Sequence, residues 1–127
     1  MKKLFKNKNV LVVEDERILR EAYVNILSHE GYSATQAING RDALEKLAQK
    51  HFDLILLDIL MPEMNGLEFL QKAELTKNYP HTKVIAFSNL SDHHKLEHML
   101  QLGVTQNILK SNLSPKQLAK TVEKLLS

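Results

Sequence analysis

A chain of 127 residues with 43% hydrophobic and 25% charged residues suits one soluble domain with a single core. No apolar run approaches the roughly 18 residues that span a bilayer, and the absence of cysteine excludes disulfides and thiolate chemistry. The net charge of +2 is uneven: Lys2, Lys3, Lys6 and Lys8 open the chain without an acid, which leaves the remainder net acidic. With no arginine and only Phe5 as an aromatic, that start reads as a flexible basic arm over residues 1–8 ahead of a domain over 9–127, with only a weak nucleic-acid footprint. It also lacks the apolar stretch of a signal peptide, so the cytoplasm is the expected compartment.

Apolar residues then alternate between strand-like runs and helical spacing. Val10 to Val13 reads as a buried strand, and Ile18, Leu19, Ala22, Tyr23, Ile26 and Leu27 recur as one face of a helix that Gly31 stops. A second strand is expected from Ser33 to Ala37, then a helix capped by Asn39 and carrying Ala43, Leu44, Leu47 and Ala48. Asp53 to Leu57 makes a third strand, and Gly66 opens a helix that the pair Tyr79 and Pro80 stops.

Lys83 to Phe87 is the expected fourth strand, followed by a helix capped by Ser91 and ended by Gly103, and Val104 to Leu109 is the fifth. The last helix starts at Ser114, Pro115, Lys116, Gln117, which combines a cap hydroxyl, a proline at the first helical position and a capping-box glutamine. This alternation implies an α/β fold, a mostly parallel sheet with helices on both faces and right-handed crossovers.

In such a sheet ligands bind at the carboxyl ends of the strands. There the sequence places Glu14, Asp15 and Glu16 after the first strand, Asp58 after the third, Ser88 after the fourth and Lys110 after the fifth. Taken alone, Asp58 would be an ordinary turn former and Lys110 a solvated lysine. Together, Glu14, Asp15 and Asp58 form a self-repelling acidic group of the kind that a hard divalent cation, Mg²⁺, relieves. A neighbouring lysine and hydroxyl suit an anionic ligand such as phosphate. His93, His94 and His98 carry no metal motif and read as a solvated helix face, and Met61, Pro62 and Met64 as packing and turn residues.

Val12, Val13, Glu14, Asp15, Glu16 resembles the acidic turn of response-regulator receiver domains, and Leu57 to Gly66 resembles their phosphoacceptor loop, with Ser88 and Lys110 at the family's hydroxyl and lysine positions. The resemblance runs from about Asn9 to Leu126. It implies the flavodoxin-like order 2-1-3-4-5 for five parallel strands, and a chemotaxis-receiver-like part in two-component signalling. It implies that Asp58 takes a phosphoryl group from a histidine kinase or histidine phosphotransfer protein, and that Glu14, Asp15, Asp58 and the Leu60 carbonyl hold Mg²⁺, Glu14 directly or through water. Lys110 would pair with Asp58 and then with the phosphoryl group, Ser88 would swing toward that group, and an unidentified protein target would read the altered surface.

Three positions depart from the family. Asn107 stands where receivers usually carry an aromatic, Ser111 where a proline commonly follows the lysine, and Asn89 where a small residue is favoured. They motivate an alternative, a receiver that serves as an unphosphorylated docking module. Leu60 and Leu90 cannot hydrogen-bond a hydrolytic water, which predicts slow self-dephosphorylation. A haloacid-dehalogenase-type phosphatase would need a second aspartate at Leu60, and a dinucleotide site would need a glycine-rich turn where Glu14 to Leu19 stands. Neither fits.

Overall fold

The computed structural model describes residues 7–61, 64–88, 93–110 and 113–127, with His93 and His94 described by backbone alone. Five strands, β1 (Asn9–Val13), β2 (Ser33–Ala37), β3 (Leu54–Asp58), β4 (Lys83–Ser88) and β5 (Gln106–Leu109), form one parallel sheet in the order β2-β1-β3-β4-β5. Around it lie α1 (Arg17–His29), α2 (Gly40–Gln49), α3 (Gly66–Ala73), α4 (Leu75–Asn78), α5 (His93–Gln101) and α6 (Pro115–Leu126). The fold is the doubly wound, flavodoxin-like one.

The pleat sorts the strand residues between two cores. Leu11, Val13, Ile55, Leu57, Val84 and Ala86 pack on one face with residues of α2, α3, α4 and α5, among them Ala43, Phe69, Leu75 and Met99. Val10, Val12, Leu54, Leu56, Ile85, Phe87 and Ile108 pack on the other with Tyr23 and Leu27 of α1 and Leu118 and Val122 of α6. β3 is buried along its whole length, as expected of a central strand covered on both sides. Met61 joins the first core and Met64 packs against it, in keeping with a packing role.

Local chemistry sets the helix ends. Asn39, Asn65 and Ser114 accept from the backbone amides of Asp42, Glu68 and Gln117, and Asn65 with Glu68 completes a capping box. Gly31 and Gly103, at φ 99° and 108°, take the left-handed conformation that lets the chain leave α1 and α5.

Two elements differ from the sequence reading by more than one residue at an end. The helix expected from Gly66 to the Tyr79–Pro80 stop is broken at Glu74, which adopts a left-handed conformation at φ 48° and ψ 58°. The Asn78 side-chain amide donates to the freed Ala73 carbonyl, and Leu75 is buried just beyond the break. The fifth strand begins at Gln106 and not Val104, although Thr105 still donates its amide to the Val84 carbonyl. Among the described residues no helix is long and apolar enough to cross a membrane. Most of the expected basic arm, together with Pro62, Glu63, Asn89, Leu90, Ser91 and Ser111, lies outside the described residues.

Candidate functional site

Strand register assembles the site. β1 and β3 are neighbours, and continuing the pairing of Val13 with Leu57 by one residue sets Glu14 beside Asp58 on one sheet face. Asp58 pairs with Phe87 in β4, and Phe87 with Ile108 in β5, so Lys110, two residues past Ile108, continues that same face. Its long side chain reaches across β4, and Nζ lies 3.2 Å from Asp58 Oδ2 and 3.5 Å from Glu14 Oε1. Asp15 completes the group: one oxygen from each of Glu14, Asp15 and Asp58 falls within 4.8 Å of the others. Glu14 and Asp58 are 1% and 2% exposed, so their charges are held away from water, while Asp15 is more accessible.

Burial and crowding perturb all three partners of the ion cluster. Burial, and then the charge of Asp58, pushes the Glu14 carboxyl up from 4.5 to about 7. Burial pushes Asp58 up as well, against the pull of Lys110. For Lys110 burial acts downward, but the charges of Glu14 and Asp58 outweigh it and hold the ammonium above its ordinary value. Two carboxylates with one ammonium leave an excess of negative charge, and Glu14 Oε1 is buried with only the 3.5 Å ion pair to Lys110 and no hydrogen bond. An all-oxygen donor set with an unsatisfied buried oxygen fits Mg²⁺, and Glu14, Asp15 and Asp58 can hold such an ion.

The surrounding backbone fixes these side chains. Glu16 donates its amide to Glu14 Oε2 at 3.2 Å, and Leu60 donates its amide to Asp58 Oδ1 at 3.3 Å. Gly66 N–H donates to the Ile59 carbonyl, tying the loop after Asp58 to the start of α3. Arg20 in α1 reaches back to the acidic turn: Nη1 donates to the Glu14 and Asp15 carbonyls at 2.9 and 3.4 Å, and Nε to Gln36 Oε1 of β2 at 2.8 Å. Tyr23 lies against Phe87 with ring centroids 5.3 Å apart, and burial followed by the Glu14 charge raises its phenol.

Of the residues singled out in the sequence, Glu14, Asp15, Asp58 and Lys110 come together, and Ser88 ends β4 at the same edge, 1% exposed. The Ser88 hydroxyl donates to Asn107 Oδ1 at 2.9 Å. Leu60 is 63% exposed and so lies outside the core, two residues past Asp58, whose Oδ1 accepts from its amide. His98 is exposed on α5, and among the described residues the acidic group is the only cluster of three suited to a metal. Arg20 and Gln36 were not singled out in the sequence, and Tyr23 was read there only as part of the apolar face of the first helix. Arg20 and Gln36 sit on different elements, and nothing short of the packed fold pairs them.

Comparison with known proteins agrees with this geometry. The family model described as response regulator receiver domain matches residues 10–123. The chain is 34% identical over 119 residues to the chemotaxis protein CheY of Thermotoga maritima, covering 93% of this chain and 94% of that protein. It is 34% identical over 103 residues to the transcriptional regulatory protein CrdR of Helicobacter pylori, covering 81% of this chain but 48% of that protein, so it spans about half of CrdR. Among solved structures, a CheY-like receiver domain from Methanospirillum hungatei superimposes with a TM-score of 0.86 at 29% identity, over 94% of this chain and 93% of that one. A parallel sheet in the order 2-1-3-4-5, with its acidic cluster and lysine at one edge, thus belongs to a response-regulator receiver domain of two-component signalling, a family of signalling phosphoacceptors.

Proposed function

We propose that Asp58 is the phosphoacceptor, taking a phosphoryl group from a phosphohistidine of a histidine kinase or histidine phosphotransfer protein in a Mg²⁺-dependent reaction in the cytoplasm. The observation that carries this reading is the nearly buried Asp58 carboxylate with Lys110 Nζ at 3.2 Å and a metal-competent pair of acids beside it. One Asp58 oxygen attacks phosphorus, a P–O bond forms as the P–N bond breaks, and the donor imidazole, already protonated on its other ring nitrogen, leaves with that electron pair as neutral imidazole. Asp15, Asp58 and the Leu60 carbonyl would hold Mg²⁺, with Glu14 acting directly or through a bound water, and the ion would neutralise charge developing on the phosphoryl oxygens.

The chain's own residues supply the rest. Lys110 favours the ionised form of the Asp58 carboxylate before transfer and follows the phosphoryl oxygens afterwards. The Leu60 amide holds one Asp58 oxygen at 3.3 Å, leaving the carboxylate oriented in its loop. Ser88 donates its hydroxyl to the phosphoryl group once that group is in place. The Leu60 side chain offers no hydrogen bond to a hydrolytic water, so the acyl phosphate decays slowly and the signalling state persists. Output passes through altered contacts with a protein target.

The direct check is equilibration with Mg²⁺ and beryllofluoride, read by a spectral change, beside Asp58→Asn. An adduct on the wild type alone is the expected result. No adduct on either protein would favour the unphosphorylated docking module.

A further inference from the structure

Register puts Ser88 and Asn107 on one face of the sheet. Ser88 pairs with Leu109, and Ala86 with Asn107, so the hydroxyl and the amide are same-face neighbours two residues apart along adjacent strands. They are bonded: Ser88 Oγ donates to Asn107 Oδ1 at 2.9 Å. Ser88 is 1% exposed, so its hydroxyl has little access to water as an alternative partner. It also follows Phe87, the register partner of Asp58, and therefore stands at the edge where Asp58 ends its strand.

A serine hydroxyl has one proton. As long as that proton is directed at Asn107 Oδ1, it cannot serve an anion at Asp58, because a phosphoryl oxygen only accepts. Simple withdrawal would leave Oδ1 without its donor in a half-buried position, at a cost comparable to a lost hydrogen bond. An asparagine side chain has another course. A half-turn about its last torsion replaces Oδ1 by the Nδ2 amino group, which donates to Ser88 Oγ and frees the hydroxyl proton. An ionised aspartate can accept but not donate, and leucine can do neither.

We propose that Asn107 is the positioning residue for Ser88: its amide accepts from the hydroxyl at rest and turns over to donate when the phosphoryl group arrives. The result is a chain of donors, Asn107 N–H to Ser88 Oγ and Ser88 O–H to a phosphoryl oxygen, in which each bond strengthens the next. The same half-turn exchanges the group that Asn107 directs away from Ser88 from N–H₂ to C=O. Occupancy of Asp58 is thereby written onto the polar pattern of β5. The inference rests on the reading of Asp58 as phosphoacceptor with Ser88 as its hydroxyl donor.

The test is a beryllofluoride titration of the ¹⁵N-labelled full chain at saturating Mg²⁺, following the Asn107 side-chain amide resonances. The wild type should form the adduct and shift those resonances, and Ser88→Ala should abolish the shift. Asn107→Asp keeps the shape of the side chain, and a separate Mg²⁺ titration reports whether its acidic cluster remains assembled. That substitution should weaken the adduct roughly tenfold with Ser88 present and less than about twofold in the Ser88→Ala background, the signature of a shared hydrogen bond in a double-mutant cycle. Equal weakening in both backgrounds would mean simple charge repulsion. That result, or unmoved amide resonances in a wild type that forms the adduct, overturns the role of Asn107 and leaves Asp58 as phosphoacceptor. Failure of the wild type to form any adduct overturns both.

Discussion

Lys110 Nζ stands 3.2 Å from Asp58 Oδ2 even though their strands are separated by β4. The contact needs a long side chain, and the lysine of β4, Lys83, pairs with Leu54 at the opposite end of that strand. Lys110→Ala should therefore slow phosphorylation from a small phosphodonor by roughly 10²-fold, the scale of removing one preorganised donor from developing charge. Mg²⁺ affinity should hold or rise, since a competing cation has left the acidic cluster. Stopped-flow phosphorylation and a Mg²⁺ titration separate the two effects, and a parallel loss of both would argue that Lys110 only supports the fold.

The raised Glu14 carboxyl makes stability depend on pH in a defined direction. Its folded value of about 7 lies above the ordinary 4.5, so the folded chain binds the extra proton between those limits. The stabilising contribution is complete below about pH 4.5 and is lost as pH rises through about 7. Asp58, also raised, acts with the same sign. In metal-free protein the melting temperature should fall between about pH 5 and pH 8, with Glu14 responsible for on the order of 1–3 kcal/mol. Thermal melts in a chelator check this, and Glu14→Gln should flatten the dependence.

Gly66 is constrained by close approach. A Cβ there would lie 2.7 Å from Ile59 Cα, 2.8 Å from Ile59 Cδ1 and 2.9 Å from the Asp58 carbonyl oxygen. Because two of these contacts are backbone, Gly66→Ala should cost about 1–3 kcal/mol in urea denaturation. It should also weaken Mg²⁺ binding by displacing the loop that carries Asp58 and Leu60. Wild-type stability in the variant would show that the loop yields freely.

Leu60 provides a test of lifetime. It is 63% exposed, its amide bonds Asp58 Oδ1, and its side chain gives water nothing to bond to. Leu60→Asn should accelerate acyl-phosphate decay by roughly tenfold or more, by orienting the attacking water. Decay curves in Mg²⁺ measure this directly, and an unchanged rate in the asparagine variant would remove Leu60 from the account.

Much of this molecule was legible in the chain because its cues are local. Ser33 to Ala37 pairs as expected, the caps at Asn39 and Ser114 form, and Glu14, Asp15, Asp58, Ser88 and Lys110 each sit at the end of a recognisable apolar run. Parallel pairing then brings those ends to one edge. What stayed hidden depends on contacts distant in sequence. Glu74 breaks α3 with no glycine to announce the left-handed turn, since a glutamate adopts it only under tertiary constraint. Arg20 and Gln36 meet across 16 residues, and the bond from Ser88 to Asn107 spans 19 and follows from the exact β4–β5 register. Asn107 could be seen in the sequence as a departure from the usual aromatic, but its partner could not.

The central claim, that Asp58 accepts the phosphoryl group, is tested most directly by intact-mass measurement after incubation with Mg²⁺ and a P–N phosphodonor. Wild type should gain the mass of one phosphoryl group, lose it to hydroxylamine as an acyl phosphate does, and show no gain as Asp58→Asn or in excess chelator. A wild type that stays unmodified, or an Asp58→Asn variant modified to the same extent, would contradict the account.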